Sequence, residues 1–151
     1  MAVVNFKPIL DMLDRAIRLD EGKAWIYAID KETQGHIIQM NTKDQLEEQG
    51  IFSDGTPTGE YSFVTVGYKI QKGDRYDHMT FKDTGGFYDS FRVDVDKNGL
   101  VIDADGQVSA DTNLFKVYGE DIAGLTDENV KFLIEIVAEK YIEYVKRELL
   151  S

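Results

Sequence analysis

The sequence predicts an α+β fold: N-terminal helices, a long loop or arm, a small antiparallel sheet with a hairpin, and a long C-terminal helix. Three observations predict it. Apolar residues recur at helical spacing in Ile9–Ile17 and again in Val130–Val145. Between these runs, Phe91, Val93 and Val95 alternate, as do Leu100 and Ile102. The turn joining them, Asp96-Lys97-Asn98-Gly99, contains an Asn-Gly pair, a strong hairpin signal. Finally, 151 residues with 42% hydrophobic content can bury a core as one domain, and the absence of cysteine excludes a disulfide framework or zinc-thiolate site.

The elements follow in order. Ile9, Met12, Leu13, Ala16 and Ile17 form one helical stripe, and Pro8 is tolerated in its first turn because its missing N–H would have no partner there. Asp20-Glu21-Gly22 ends that run. A second helical pattern starts at Lys23, with Ile26, Ile29, Thr33, Ile37 and Met40 on one side; Gly35 weakens it by about 1 kcal/mol relative to alanine. A break or re-start is expected at Asn41, where Thr42 and Gln45 have capping-box spacing. Gly50 suits the left-handed residue after a helix.

Residues 51–77 carry four glycines and a proline without a clear period, and are expected to form an extended loop or arm. Within them Val64, Val66, Tyr68 and Ile70 alternate as in a short strand, and Met79 and Phe81 alternate next. Asp83 or Thr84 is placed to cap a short helical turn through Ser90, with Phe87 and Phe91 packing onto the sheet. Asn113–Tyr118 reads as a further strand or a short helical turn. In the last helix Thr126 is the N-cap. Asp127 and Glu128 suit the positive end of its dipole, Lys146 and Arg147 the negative end. Its apolar face (Val130, Leu133, Ile134, Val137, Tyr141, Tyr144, Val145, widened by Phe132 and Ile136) is so broad that it is either deeply buried or partly kept for another subunit.

Net charge is −11, from 28 acidic and 17 basic residues, which argues against direct nucleic-acid binding and against docking on an anionic membrane. The N-terminal residues lack the pattern of a secretory signal, so synthesis in the cytoplasm is expected. No apolar run approaches the roughly 20 residues that span a bilayer.

One metal motif stands out. Asp94, Asp96, Asn98, Gly99 and Asp105 have the spacing of a calcium loop, with hard oxygen ligands and a glycine for the sharp turn. Against it, Asp105 stands where a longer glutamate normally reaches in, and the flanks have period two. A hairpin with solvent-facing carboxylates explains the same residues, and calcium binding is kept as the alternative function. Catalytic constellations are weaker. His36 and His78 are the two histidines, Ser53, Ser62 and Ser90 are scattered, and none sits in a nucleophile-elbow sequence. Gly85-Gly86 lacks the spacing of a phosphate loop. Trp25 and the tyrosines of the last helix read as core or subunit contact. No cofactor and no enzymatic activity are expected.

Gly55, Gly59, Tyr61-Ser62, Thr65, Lys69, Asp83-Thr84-Gly85, Phe87, Ser90-Phe91, Asn113-Leu114-Phe115 and Tyr118-Gly119 occur in an order that resembles tail-completion and virion-morphogenesis (head–tail joining) proteins of tailed phages. More closely, it looks like uncharacterised proteins carried by phages and prophages of Bacteroides-type gut bacteria. The match spans residues 45–119. Tyr61 stands where many members have tryptophan, Phe81 near a usual leucine, and a long helix follows Tyr118-Gly119 where many relatives stop. These departures leave open whether the position is tail completion, stopper, tail terminator or another neck ring. The resemblance implies a structural protein that forms an oligomeric ring, contacts portal, adaptor or tail proteins, and passes from host cytoplasm into the virion neck or tail. An acidic lumen would then let DNA pass without binding.

Overall fold

The computed structural model describes residues 1–151 and has an α+β architecture. Helices α1 (Lys7–Ile17), α2 (Glu21–Ala28) and α3 (Lys31–Gln39) come first, and α3 runs on into a π-helical segment, Met40–Gln49. Helix α4 (Phe63–Lys72) and the single turn α5 (Gly86–Asp89) precede the hairpin β1 (Arg92–Asp96) and β2 (Gly99–Asp103). A second two-stranded ribbon, β3 (Gln107–Ser109) and β4 (Thr112–Asn113), leads into α6 (Leu114–Tyr118), a 3-10 turn (Glu120–Ile122) and the long α7 (Asp127–Leu150). No helix is long and apolar enough to cross a membrane.

The hairpin has the expected register, Val93 opposite Ile102 and Val95 opposite Leu100. These four place one apolar face against α2, α3 and α7, where Ala28, Ile29, Ile37, Met40, Leu133 and Val137 complete the first core cluster. A second cluster joins Leu46, Phe87, Phe91, Ala104, Leu114 and Ile122, and Ile38 and Ile102 touch both. The Phe87 and Phe91 rings meet edge to face at 5.1 Å, as their four-residue spacing suggests. Thr126 caps α7 by accepting the Asn129 N–H, and Asn113–Tyr118 resolves into a short strand and a helical turn.

Several expectations are corrected. Asp20 does not only end the first helical run; its carboxylate accepts the Lys23 N–H and starts α2. The second helical pattern breaks at Ile29-Asp30, because the Asp30 side chain captures the Thr33 N–H and so begins a new helix. At Asn41 the helix does not restart but widens. Thr42 Oγ1 donates back to the Ile38 carbonyl instead of capping, and the Gln45 side chain leaves the helix altogether. The segment then stops where expected, at Gly50 with φ +65°; a Cβ there would lie 2.4 Å from the His78 ring.

Residues 51–77 are not one extended loop, and Val64–Ile70 is not a strand. Ser62 caps α4 through the Thr65 N–H, Gly73 closes it in the left-handed conformation, and these two stops enclose a regular helix despite its β-branched residues. Met79 and Phe81 lie in a loop; Phe81 has φ +59°, which no strand residue adopts. Gly85, with φ +92°, takes the N-cap position of α5 that Asp83 or Thr84 was expected to fill, while Thr84 Oγ1 accepts the Gly86 N–H one residue later.

Candidate functional site

The family-motif residues fall into three groups. Gly55, Gly59, Gly85 and Gly119 all have positive φ and serve as turns. Phe87, Ser90 and Phe91 are structural: the two rings are core, and Ser90 Oγ donates to the Phe87 carbonyl and accepts the Asp105 N–H. Tyr61, Thr65, Lys69 and Asp83 are brought together and line one pocket of about 440 Å³. Thr84 lies beside it in sequence, and Tyr118 meets the pocket wall from behind, its ring 4.9 Å from that of Phe81.

The pocket is made by α4 and the loop 79–83. Tyr61 is pinned at its hydroxyl, which accepts the Thr80 N–H at 2.9 Å and shares a proton with Thr80 Oγ1 at 3.0 Å. Beneath it Tyr88 donates to the Thr80 carbonyl; burial pushes this phenol well above the ordinary tyrosine range, so it remains a donor at every physiological pH. Phe81 holds its strained backbone because its ring is wedged between Phe52 and Tyr118.

Helix α4 presents an inverted pattern to this loop. Its one buried side chain is Lys69, 7% exposed, while Phe63, Val64, Tyr68 and Ile70 are 93%, 67%, 65% and 55% exposed. Lys69 Nζ donates to the Lys82 carbonyl at 2.5 Å and lies 5.2 Å from the centre of the Tyr61 ring. It has no carboxylate in salt-bridge reach, unlike the other two lysines of the pocket. Lys72 pairs with Asp83 at 2.8 Å and Asp74 at 3.5 Å, and Lys82 pairs with Glu47 at 3.0 Å. The Lys72 contact, with a smaller contribution from the charge of Lys69, holds the Asp83 carboxyl below its usual range; Asp83 in turn raises Lys72. A cation–π contact is worth about 0.5–2 kcal/mol, whereas desolvating an ammonium costs several. The fold therefore leaves part of the Lys69 charge uncompensated.

Tyr68, Phe81, Lys72 and Lys82 complete the pocket; Tyr68 and Phe81 belong to strand patterns in the sequence, and Lys72 and Lys82 were not singled out by it. Lys69 and Lys72 share a face only if the segment is helical, and the period-two alternation of Val64–Ile70 concealed that.

A second feature is wholly apolar. A groove of about 310 Å³ runs between α2 and α7 beside the hairpin, lined by Trp25, Ile29, Leu100, Leu133, Tyr141 and Ile142 among others, with no polar residue. Trp25 packs on Tyr141 with ring centres 4.6 Å apart yet stays 40% exposed. Helix α1 buries nothing: Ile9, Leu10, Leu13 and Ile17 are 46%, 61%, 51% and 85% exposed, although the stripe has the predicted spacing.

The calcium-loop residues do not converge. Asp96 Oδ1 accepts the Asn98 and Gly99 N–H groups and so shapes the hairpin turn, Asp94 faces Arg92, and Asp105 accepts the Gln107 N–H beyond β2. No three acidic or histidine side chains come together in a metal-holding group. His36 is exposed on α3, and His78 Nε2 bonds the Glu47 carbonyl at 2.7 Å. Compared with known proteins, no family model, no curated protein and no solved structure matches this chain.

Proposed function

We propose that this chain is a non-enzymatic structural protein of a phage neck or tail that acts by associating with copies of itself and with portal-, adaptor- or tail-side proteins. The observation that carries self-association is helix α4, which turns a lysine inward and Phe63, Val64, Tyr68 and Ile70 outward. Exposed apolar surface on this scale marks an interface. Helix α1 also exposes apolar residues, Ile9, Leu10, Leu13 and Ile17, and the apolar groove beside α7 supplies a concave counterpart on the same chain. A protruding face and a groove at different places on one subunit suit head-to-tail contacts, which form rings where the rotation between subunits closes and open filaments where it does not.

Charge favours the pairing of α1 with a second copy. Lys7, Arg15 and Arg18 against Asp11 and Asp14 make Lys7–Arg18 net +1 in a chain of −11, so this segment is drawn to the rest of a neighbour. The virion position rests on the sequence resemblance alone.

Light scattering over rising protein concentration, followed by electron microscopy, tests the reading. Closed oligomers are expected, reduced to monomer by Leu13→Glu in α1 or Phe63→Glu in α4, with the circular dichroism spectrum unchanged. A wild-type chain that stays monomeric at all concentrations, alone and with portal and tail proteins, overturns it.

A further inference from the structure

The geometry points to a small-molecule site in the pocket of α4 and the loop 79–83, where Lys69 binds the carboxylate or phosphate group of a ligand. The site stands independently of assembly. Its motivation is the one positive charge in the fold that is buried without a carboxylate. An ammonium has three donors, and Lys69 uses one on the Lys82 carbonyl. Any neutral donor would satisfy that carbonyl, so the charge itself is what the fold leaves unemployed. Tyr61 covers one side of the ammonium with its ring and neutralises nothing.

The surroundings favour an anion over a cation or a neutral ligand. Lys69, Lys72 and Lys82 stand against one lining carboxylate, Asp83, in a chain whose surface is otherwise strongly acidic. Asp83 is already committed to Lys72 at 2.8 Å, and Glu47 to Lys82 at 3.0 Å. Both partners are more than a third exposed lysines on flexible stems, free to rotate from those carboxylates toward an incoming oxyanion, while Lys69 is fixed. Thr65 lies one helical turn before Lys69, its hydroxyl bonded to Ser62 Oγ at 2.9 Å with capacity for one further bond, and the Tyr68 ring offers a flat apolar surface. The space, about 440 Å³, falls within the range of small-molecule pockets. With Asp83, Asp74 and Glu47 set against the three lysines the pocket is near neutral, which is still less repulsive to an anion than the surrounding acidic surface.

Nuclear magnetic resonance titration of the full chain with inorganic phosphate and with succinate, against sodium chloride at matched ionic strength, tests the site. Saturable shifts of the Thr65, Lys69 and Lys82 amides with either probe, absent with chloride, are expected. Lys69→Met should weaken binding by about tenfold or more, the scale of one lost charge-assisted contact. The tighter of the two probes identifies the oxyanion. If neither gives saturable shifts, if the shifts map elsewhere, or if folded Lys69→Met binds as tightly as the parent, the site is refuted. Should Lys69→Met not fold, the wild-type map together with Lys72→Met, expected to weaken binding severalfold, decides on the same criteria.

Discussion

The π-helical segment and the α4 pocket both bury polar side chains, and they treat them oppositely. In the segment, Asn41 and Gln45 are fully buried, and each amide oxygen and nitrogen has a partner. Asn41 donates to the Ile122 carbonyl and accepts the Gly124 N–H. Gln45 donates to the Gly124 carbonyl and accepts from the Thr126 backbone and the Asn129 side chain. Together they clamp the loop that aims α7, with every polar atom paired and no charge buried. In the pocket, Lys69 is nearly as buried but has no carboxylate in salt-bridge reach, only the more distant charge of Asp83. A satisfied buried polar network stabilises and specifies a fold, and a partly satisfied one is costly.

The strongest way to break this contrast is Gln45→Ala. It strands the Gly124 carbonyl and Thr126 N–H in a dry setting and should cost about 3 kcal/mol, a fall in Tm of about 10 °C. A loss under about 1 kcal/mol in urea melts would mean that water replaces the side chain and that the clamp is not structural.

A smaller effect concerns an exposed charge that caps a helix. The Thr33 N–H, and then Lys140, hold the Asp30 carboxyl at about 2, below its ordinary 3.8. Because the folded value is the lower one, its contribution is complete above about pH 4 and is lost as pH falls toward 2. At a side chain 45% exposed, solvent screening limits that contribution to about 1 kcal/mol or less. Asp30→Asn should therefore lower Tm by a few degrees at pH 7, and the difference from the parent should close on acidification through this window. A gap that persists at pH 2 would assign the loss to packing instead.

The smallest effect is the one that sharpens the comparison most. Lys69→Met removes one hydrogen bond and a cation–π contact but also removes a desolvated charge, so stability should stay within about 1 kcal/mol of the parent. If it falls as far as in Gln45→Ala, Lys69 is a structural residue like Asn41 and Gln45, and the distinction between the two regions disappears.

Much of the fold was legible in the residues. Period and caps located α1, α7 and the hairpin, because apolar spacing, Thr126 and Asp96-Lys97-Asn98-Gly99 act within a few residues of themselves. The segment 51–77 was misread for the same reason in reverse. Val64, Val66, Tyr68 and Ile70 satisfy a strand template, and only the stops at Ser62 and Gly73, with Lys69 turned inward to the 79–83 loop, favour a helix. Four motif residues, Tyr61, Thr65, Lys69 and Asp83, were named from sequence, but their shared pocket was not visible there.

What the sequence determined by itself is the α+β class, the spans of α1 and α7, the hairpin turn, and a strongly acidic chain, since each depends on neighbours along the chain. Tertiary structure alone decided which apolar faces were buried and which polar groups were shared. The stripe of α1 stayed outside, that of α7 was divided between core and groove, and Lys69 was drawn in beneath Tyr61. The reason is physical: periodicity fixes where a side chain points on its own helix, but burial is set by what folds against that face from elsewhere in the chain.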